Sequence, residues 1–281
     1  MPCHRLKHSA FGGLFQPTLN QAIRLLSSQP YSSAAAHAGG ASSQSPSSGV
    51  SDDPFSAGAL TYTTNGTDSI PSPSVYRSNR HSWVHVFPEG LVHQHPQVDL
   101  RYFKWGVARL ILESEPAPDI VPMFIDGTQK IMPEHRTFPR FLPRFGKPVR
   151  VAFGDVVDFE ATFGDLRRRW QGLVARKALE GNAANAGAVA TAGQQQQQQQ
   201  SPPINIPGEL PDSLKFDDEA NEIRIEVARR MREEVLKLRT ATGRYPDSDP
   251  TYGLASTWAK DKENESKKYK SQVDGSEINQ D

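Results

Sequence analysis

Three stretches of the chain cannot pack, and they decide how much of it is able to fold. Residues 29–80 are dominated by Ser, Ala, Gly, Pro and Thr. Residues 181–213 pass through an Ala/Gly/Asn tract, a glutamine run from Gln194 to Gln200 and a Pro-rich segment, and residues 244–281 are polar and charged. Such segments bury too little apolar surface to offset the entropy of ordering them. The foldable part is therefore 10–28, 81–180 and 214–243, enough of the 281 residues for one modest core rather than two domains.

Charge and cysteine usage exclude several classes. Lys+Arg and Asp+Glu are both 32, so the formal net charge is zero and nothing global marks a nucleic-acid binder. Cys3 is the one cysteine, which rules out an internal disulfide framework. No apolar run approaches the roughly 18 residues of a membrane-spanning helix. Met1 to Phe15 carries basic residues but neither the apolar core of a signal peptide nor the pattern of a transit peptide, so no targeting segment is expected. His93 and His95 lack a third ligand, and no metal site is expected.

Apolar periodicity predicts an α/β fold. Trp83 to Phe87 is a short β-prone run stopped by Pro88, as in a buried strand. Phe103, Val107, Leu110 and Ile111 make one face of a helix over 100–114, ended by Pro116 and Pro118. Ile120 to Ile125 and Val149 to Phe153 are two more apolar runs, the first closed by the Asp126-Gly127 turn. Strand, helix and strand in this space predict a parallel β-α-β unit with a right-handed crossover. A first helix is expected at Thr18–Leu26. Amphipathic helices are expected at 163–179, with Thr162-x-x-Asp165 as capping box, and at 216–239. The basic residues around Trp170 suit either a helix packed on the sheet or one lying on an anionic bilayer.

The sharpest chemical signal is Phe87-Pro88-Glu89-Gly90 at the end of the first predicted strand. Pro and Gly fix a tight turn there, where α/β sheets present ligand sites. Arg101, Lys104 and Arg109 then bring positive charge to the following segment. A carboxylate beside cations suits a glycerol-phosphate group, the carboxylate taking hydroxyls and the cations phosphate. The same residues also fit an ordinary turn after a strand.

The neighbouring sequence narrows this. Residues 83–90, 101–111 and Ile120-Val121-Pro122-Met123-Phe124 closely resemble the tafazzin family, most of all its fungal members. Phe138-Pro139-Arg140-Phe141 and Arg144-Phe145-Gly146-Lys147 continue the likeness, and upstream Gly12 to Gln16 resembles the family's second motif region. The resemblance implies part of a glycerophospholipid acyltransferase domain, peripheral to mitochondrial membranes. It implies acyl transfer between phospholipids and lysophospholipids, notably cardiolipin and monolysocardiolipin, with no cofactor required. By that carry-over Glu89 and Gly90 lie in the acceptor-binding motif, Lys104 matches the basic position after it and Pro122 the proline of the fourth motif; Phe87, Pro88 and Arg101 beside them are expected to bind substrate as well.

One departure matters. The family's catalytic motif is His-x4-Asp, upstream of the second motif, the histidine deprotonating the acceptor hydroxyl. None of the eight histidines here has an Asp five positions on. The likeness also begins almost at Met1. We therefore expect a piece of a longer enzyme, inactive as it stands, in preference to a shortened phospholipid-binding or scaffold paralogue. The expected organisation is 1–28 for the second-motif segment, 29–80 a low-complexity insertion, 81–180 the acyltransferase core, 181–213 a linker, 214–243 an amphipathic helix and 244–281 a disordered tail.

Overall fold

The computed structural model describes residues 12–27, 61–71, 82–90, 94–95, 97–133, 141–191 and 208–258. In chain order its elements are helix α1 (Pro17–Leu26), strands β1 (Thr61–Tyr62) and β2 (Ile70–Pro71), helix α2 (Gly106–Glu113) and strand β3 (Met123–Asp126). There follow the single-turn α3 (Thr128–Ile131), strand β4 (Arg150–Phe153), helix α4 (Phe159–Thr191), the short α5 (Asp212–Lys215), helix α6 (Asp218–Ala241) and a 3-10 turn at Pro250–Gly253. The class is mixed α/β. The chain divides into two compact units, one of Met1–Val86, Trp105–Asp119 and Phe159–Val227, the other of Phe87–Lys104, Ile120–Asp158 and Ala228–Asp281.

The predicted parallel β-α-β unit is not what forms. Among the described residues β1 pairs with β2 and β3 with β4, both antiparallel. Residues 82–87 join no ladder: Val84 and Val86 turn inward while Trp83, 89% exposed, and Phe87 turn outward. Alternation of that kind covers a core from one side only, whereas a strand inside a parallel sheet is buried on both. The chain reverses after β3 because Gly127 adopts a left-handed conformation, φ 104°. A Cβ there would lie 2.2 Å from the Pro148 carbonyl oxygen, so only glycine fits.

In the first unit, α1 lays Ala22 and Ile23 against Leu110 of α2, with Leu19, Leu26, Val84 and Val86 partly buried around them. Buried arginines then satisfy backbone that the helices leave open. Arg109 forks onto Glu113 with two bonds of 2.7 Å and reaches the carbonyls of Leu14 at 3.0 Å and Gly208 at 2.7 Å. Arg167 of α4 takes the last carbonyls around α2, Ile111 at 2.9 Å and Ser114 at 2.7 Å. Arg224 of α6 does the same for Leu214 and Lys215, each at 3.0 Å.

The basic helix does not present its stripe to a bilayer. Phe163, Leu166, Trp170 and Leu173 are buried, and Arg169, Arg176 and Lys177 pair with Glu219, Glu222 and Asp217. The stripe is packed, but the partners of its flanking cations lie on α6 and the turn before it and not on a sheet. The helix starts at Phe159, ahead of Thr162, so Thr162-x-x-Asp165 is not its cap.

Parts of the segments read as unable to pack have structure. Within 29–80, the β1–β2 turn is organised by Asp68, which accepts from Thr63 Oγ1 and the amides of Thr64 and Asn65. Helix α4 runs on through 181–191, a stretch rich in alanine, the strongest helix former. Residues 244–258 fold as well, with Asp249 capping the 3-10 turn through the Thr251 amide. Polar composition misled here because local bonds to Asp68 and Asp249 and the helix propensity of alanine order these pieces without a core of their own.

In the second unit, β3 and β4 align Met123 with Phe153 and Asp126 with Arg150. The pairing continues beyond the ladder, Gly154 N donating to Pro122 O at 2.9 Å and Val157 N to Ile120 O at 2.9 Å. Asp126 is buried and accepts from Tyr245 Oη at 2.6 Å and Arg244 Nη1 at 3.2 Å, tying the chain after α6 to β3. From α6, Arg232 donates to the carbonyls of Leu100 and Arg101, and Arg239 to those of Gln97, Val98 and Pro246. Asp99 lies buried beside both guanidinia, 4.0 and 3.8 Å away.

Candidate functional site

The Phe87–Gly90 turn sits in the second unit and is closed by its own backbone, Gly90 N donating to Phe87 O at 3.1 Å, with φ 71° at Gly90. The segment 97–104 docks onto it. Glu89 Oε2 accepts the Arg101 amide at 2.9 Å, and the Pro88 carbonyl accepts the Lys104 amide at 2.7 Å. The helix predicted over 100–114 begins only at Gly106, the Lys104 amide being committed to Pro88 O and the Leu100 carbonyl it would otherwise meet to Arg232.

Lys104 and Glu89 are thus brought together, though through backbone first. A Cβ on Gly90 would come within 3.0 Å of Lys104 Cγ, so the lysine stem lies across the glycine. The exposed ammonium donates to Tyr102 Oη at 2.5 Å and lies 4.6 Å from that ring's centre. Arg101 is buried, its guanidinium 4.6 Å from the Trp258 ring centre. Trp258 is itself held by Tyr252 O at 2.8 Å, with His95 and Tyr252 rings alongside.

Glu89 is half-buried. Burial pushes its carboxyl above the ordinary glutamate value, against the pull of the Arg101 amide and of the Arg101 and Arg232 charges, with Asp99 adding to the rise. The site is a half-buried carboxylate in a turn, with a buried guanidinium against an aromatic ring and an exposed ammonium on the neighbouring segment. That arrangement can accept hydrogen bonds from hydroxyls and offer a positive charge to a phosphate on one small group.

The remaining predicted residues fall elsewhere. Phe87 is 68% exposed beside the turn. Pro122 is buried at the β3–β4 pair, where its ring lies against Gly154, and among the described contacts it does not touch Glu89. Arg109, the third cation after the turn, is consumed inside the first unit by Glu113 and carbonyls. Sequence reasoning missed Arg232, Arg239 and Trp258. The arginines were legible as spacing: 224, 232 and 239 each follow an apolar position of the α6 stripe by one residue, so they share its buried side.

Among the described residues no group of three His, Cys, Asp or Glu side chains is placed to hold a metal ion, and no helix is long and apolar enough to cross a membrane. A cavity of about 260 Å³ lies by Phe124, Asp126, Arg150, Thr242 and Arg244, apart from the turn.

No family model matches the chain. Curated proteins do. It is 34% identical over 194 residues to the tafazzin of Saccharomyces cerevisiae, covering 66% of this chain and 44% of that protein. Over 87 residues it is 39% identical to the tafazzin of Drosophila melanogaster, 31% of this chain and 22% of that one. Over 81 residues it is 37% identical to N-acylphosphatidylethanolamine synthase of Arabidopsis thaliana, 28% of each. The chain spans less than half the length of each of these relatives. An α/β chain with this turn thus stands among relatives of a synthase named for an acylated phospholipid and of two tafazzins. By sequence the chain is similar to the tafazzins.

Proposed function

We propose that these residues form the acceptor-recognising part of an enzyme that moves fatty acyl groups between phospholipids and lysophospholipids, cardiolipin and monolysocardiolipin among them, at a mitochondrial membrane surface. The observation that carries this is the turn itself. Glu89 is fixed by the Arg101 amide beside the Lys104 stem, in a chain similar in sequence to the tafazzins. Glu89 takes the glycerol hydroxyls of the acceptor, and Lys104, with Tyr102 orienting its ammonium, takes the phosphate. Phe87 and Gly90 bound the headgroup, Arg101 supports the carboxylate from below, and Pro122 shapes the neighbouring β3 end. No cofactor enters.

Deprotonation of the acceptor hydroxyl needs a general base, which commonly contributes about a hundred- to ten-thousandfold in rate. No histidine in this sequence has the His-x4-Asp spacing. The second reading, a phospholipid-binding protein that recognises the acceptor without acylating it, stays behind the first, a piece of a longer enzyme. One pair of measurements separates the two: acyl transfer from phosphatidylcholine to monolysocardiolipin, and binding of sn-glycerol 3-phosphate, both on the full chain. Binding without transfer supports the second reading; both together support the first. Glu89→Gln is expected to weaken glycerol phosphate binding by about tenfold or more, the range of a hydrogen bond to a charged group. Unchanged binding in that variant removes Glu89 from the site.

A further inference from the structure

The loop of the β1–β2 hairpin holds a reactive pair of residues that its own hydrogen bonds prepare. Asn65-Gly66 is the one Asn-Gly dipeptide in the sequence. Both residues are exposed, on a hairpin whose Tyr62 and Thr64 are buried. Gly66 takes a left-handed φ of 87° and has no Cβ to shield its nitrogen. The Asn65 side chain folds back along the chain. Its Oδ1 accepts the Thr67 amide, the Thr67 hydroxyl and the Asp68 amide, each at 2.9 Å. The Gly66 peptide therefore lies inside the ring that the Thr67 bond closes. Three donors on one amide oxygen draw electrons from Cγ and are placed to stabilise negative charge arising on that oxygen.

The Gly66 amide is prepared as well. It donates to Thr63 Oγ1 at 2.7 Å, and the Thr63 hydroxyl donates to Asp68 Oδ1 at 2.9 Å. Asp68 also accepts the Thr64 hydroxyl and the amides of Thr64 and Asn65. These bonds, the Thr64 hydroxyl first, outweigh desolvation and hold its carboxyl well below the usual range. It therefore stays charged and polarises the Gly66 amide through Thr63, while solvent hydroxide removes the proton. We propose that Asn65 is a self-modification site, the hairpin accelerating cyclisation of this side chain onto the Gly66 nitrogen. A bond forms between Gly66 N and Asn65 Cγ, the Cγ–Nδ2 bond breaks, and ammonia leaves, the amide proton passing through solvent. Water then opens the succinimide at either carbonyl. The product is aspartate or isoaspartate, adding one negative charge to a chain that is formally neutral. Isoaspartate also inserts a methylene into the backbone and so breaks the register of the bonds to Thr67 and Asp68. The reaction consumes water alone and does not depend on the phospholipid reading above.

The test is peptide mapping by mass spectrometry during incubation of the full chain, folded in buffer and unfolded in guanidinium chloride. Conversion at Asn65 is expected to run about tenfold or more faster in the folded chain, and to quicken as pH rises. Thr63→Val removes the acceptor of the Gly66 amide. Thr67→Val removes one donor to Asn65 Oδ1 and keeps both amides. Each is expected to slow conversion by about tenfold, less than in a closed enzyme site because this loop is open to water. Hydrogen exchange at the Thr64 amide, which is bonded to Asp68, reports whether the hairpin survives in each variant. A folded chain that converts no faster than the unfolded one overturns the proposal, as do variants with an intact hairpin and the wild-type rate. Where a variant's hairpin opens, its rate should fall to that of the unfolded chain; persistence of the folded rate overturns the proposal too. Isoaspartate alongside aspartate is the expected product, and aspartate alone would assign the change to direct hydrolysis and overturn the cyclic route.

Discussion

Two regions of the second unit use cations in opposite ways. Around the 97–104 segment the guanidinia of Arg232 and Arg239 are buried and bonded to five backbone carbonyls. Around 141–153 the cations stand outside, beside rings that nothing in the described structure covers. The first region converts charge into shape: it holds the glutamate turn in one geometry and leaves Lys104 as its outward cation. The second leaves its cations exposed and outside any ion pair among the described residues. Counting basic residues therefore says little about ligand charge until each has been assigned to backbone or to solvent.

The largest expected effect breaks the first region. Arg239→Met strands the carbonyls of Gln97, Val98 and Pro246 and leaves Asp99 with one fewer cation. A loss of about 3–5 kcal/mol in urea unfolding is expected, the range for a buried charge deprived of its partner. A loss under about 1 kcal/mol would show that the segment is not clamped by α6.

Next comes the second region. Gly127→Ala combines left-handed backbone strain with a Cβ 2.2 Å from the Pro148 oxygen. Destabilisation of about 2–4 kcal/mol is expected. The loop that carries Phe145 should shift with it while glycerol phosphate binding survives. Loss of that binding would mean the two regions are not independent.

The smallest effect is electrostatic. Burial raises the Glu89 carboxyl above its ordinary 4.5 and also raises Glu113, so the folded chain holds protons there that the unfolded chain has released. Stability is therefore favoured below 4.5 and declines as pH climbs through the folded values. Asp126 runs the other way. Burial alone would raise it, but Tyr245, Gln129 and Arg244 outweigh that and hold it below the usual range, so its contribution is lost as acid reaches its folded value. Glu89→Gln keeps an acceptor for the Arg101 amide and should flatten the decline while changing stability at neutral pH by about 1 kcal/mol or less. A curve parallel to wild type would assign the slope to Glu113 alone.

Much of this was legible in the sequence, unevenly. The helix faces were clear because their apolar residues recur on one side: Leu19, Ala22, Ile23 and Leu26, or Ile223, Val227, Met231 and Val235. The acceptor turn was legible as Pro-Glu-Gly. Strand direction was not, since an apolar run says how deeply a segment is buried but not which neighbour it pairs with. The antiparallel β3–β4 pair depends on the reversal at Gly127 and on Pro148, distant in sequence. The cation–aromatic support of Arg101 by Trp258 was hidden for the same reason, lying inside a segment whose polar composition suggested no packing at all.

The grip of α6 on carbonyls has a consequence for how this protein tolerates change. Every residue type supplies a carbonyl, so the exposed Gln97 can exchange its side chain while the anchor beneath the glutamate persists. The information that fixes the acceptor turn is thus stored remotely, in two helix positions, and variation near the site is read out as specificity rather than collapse.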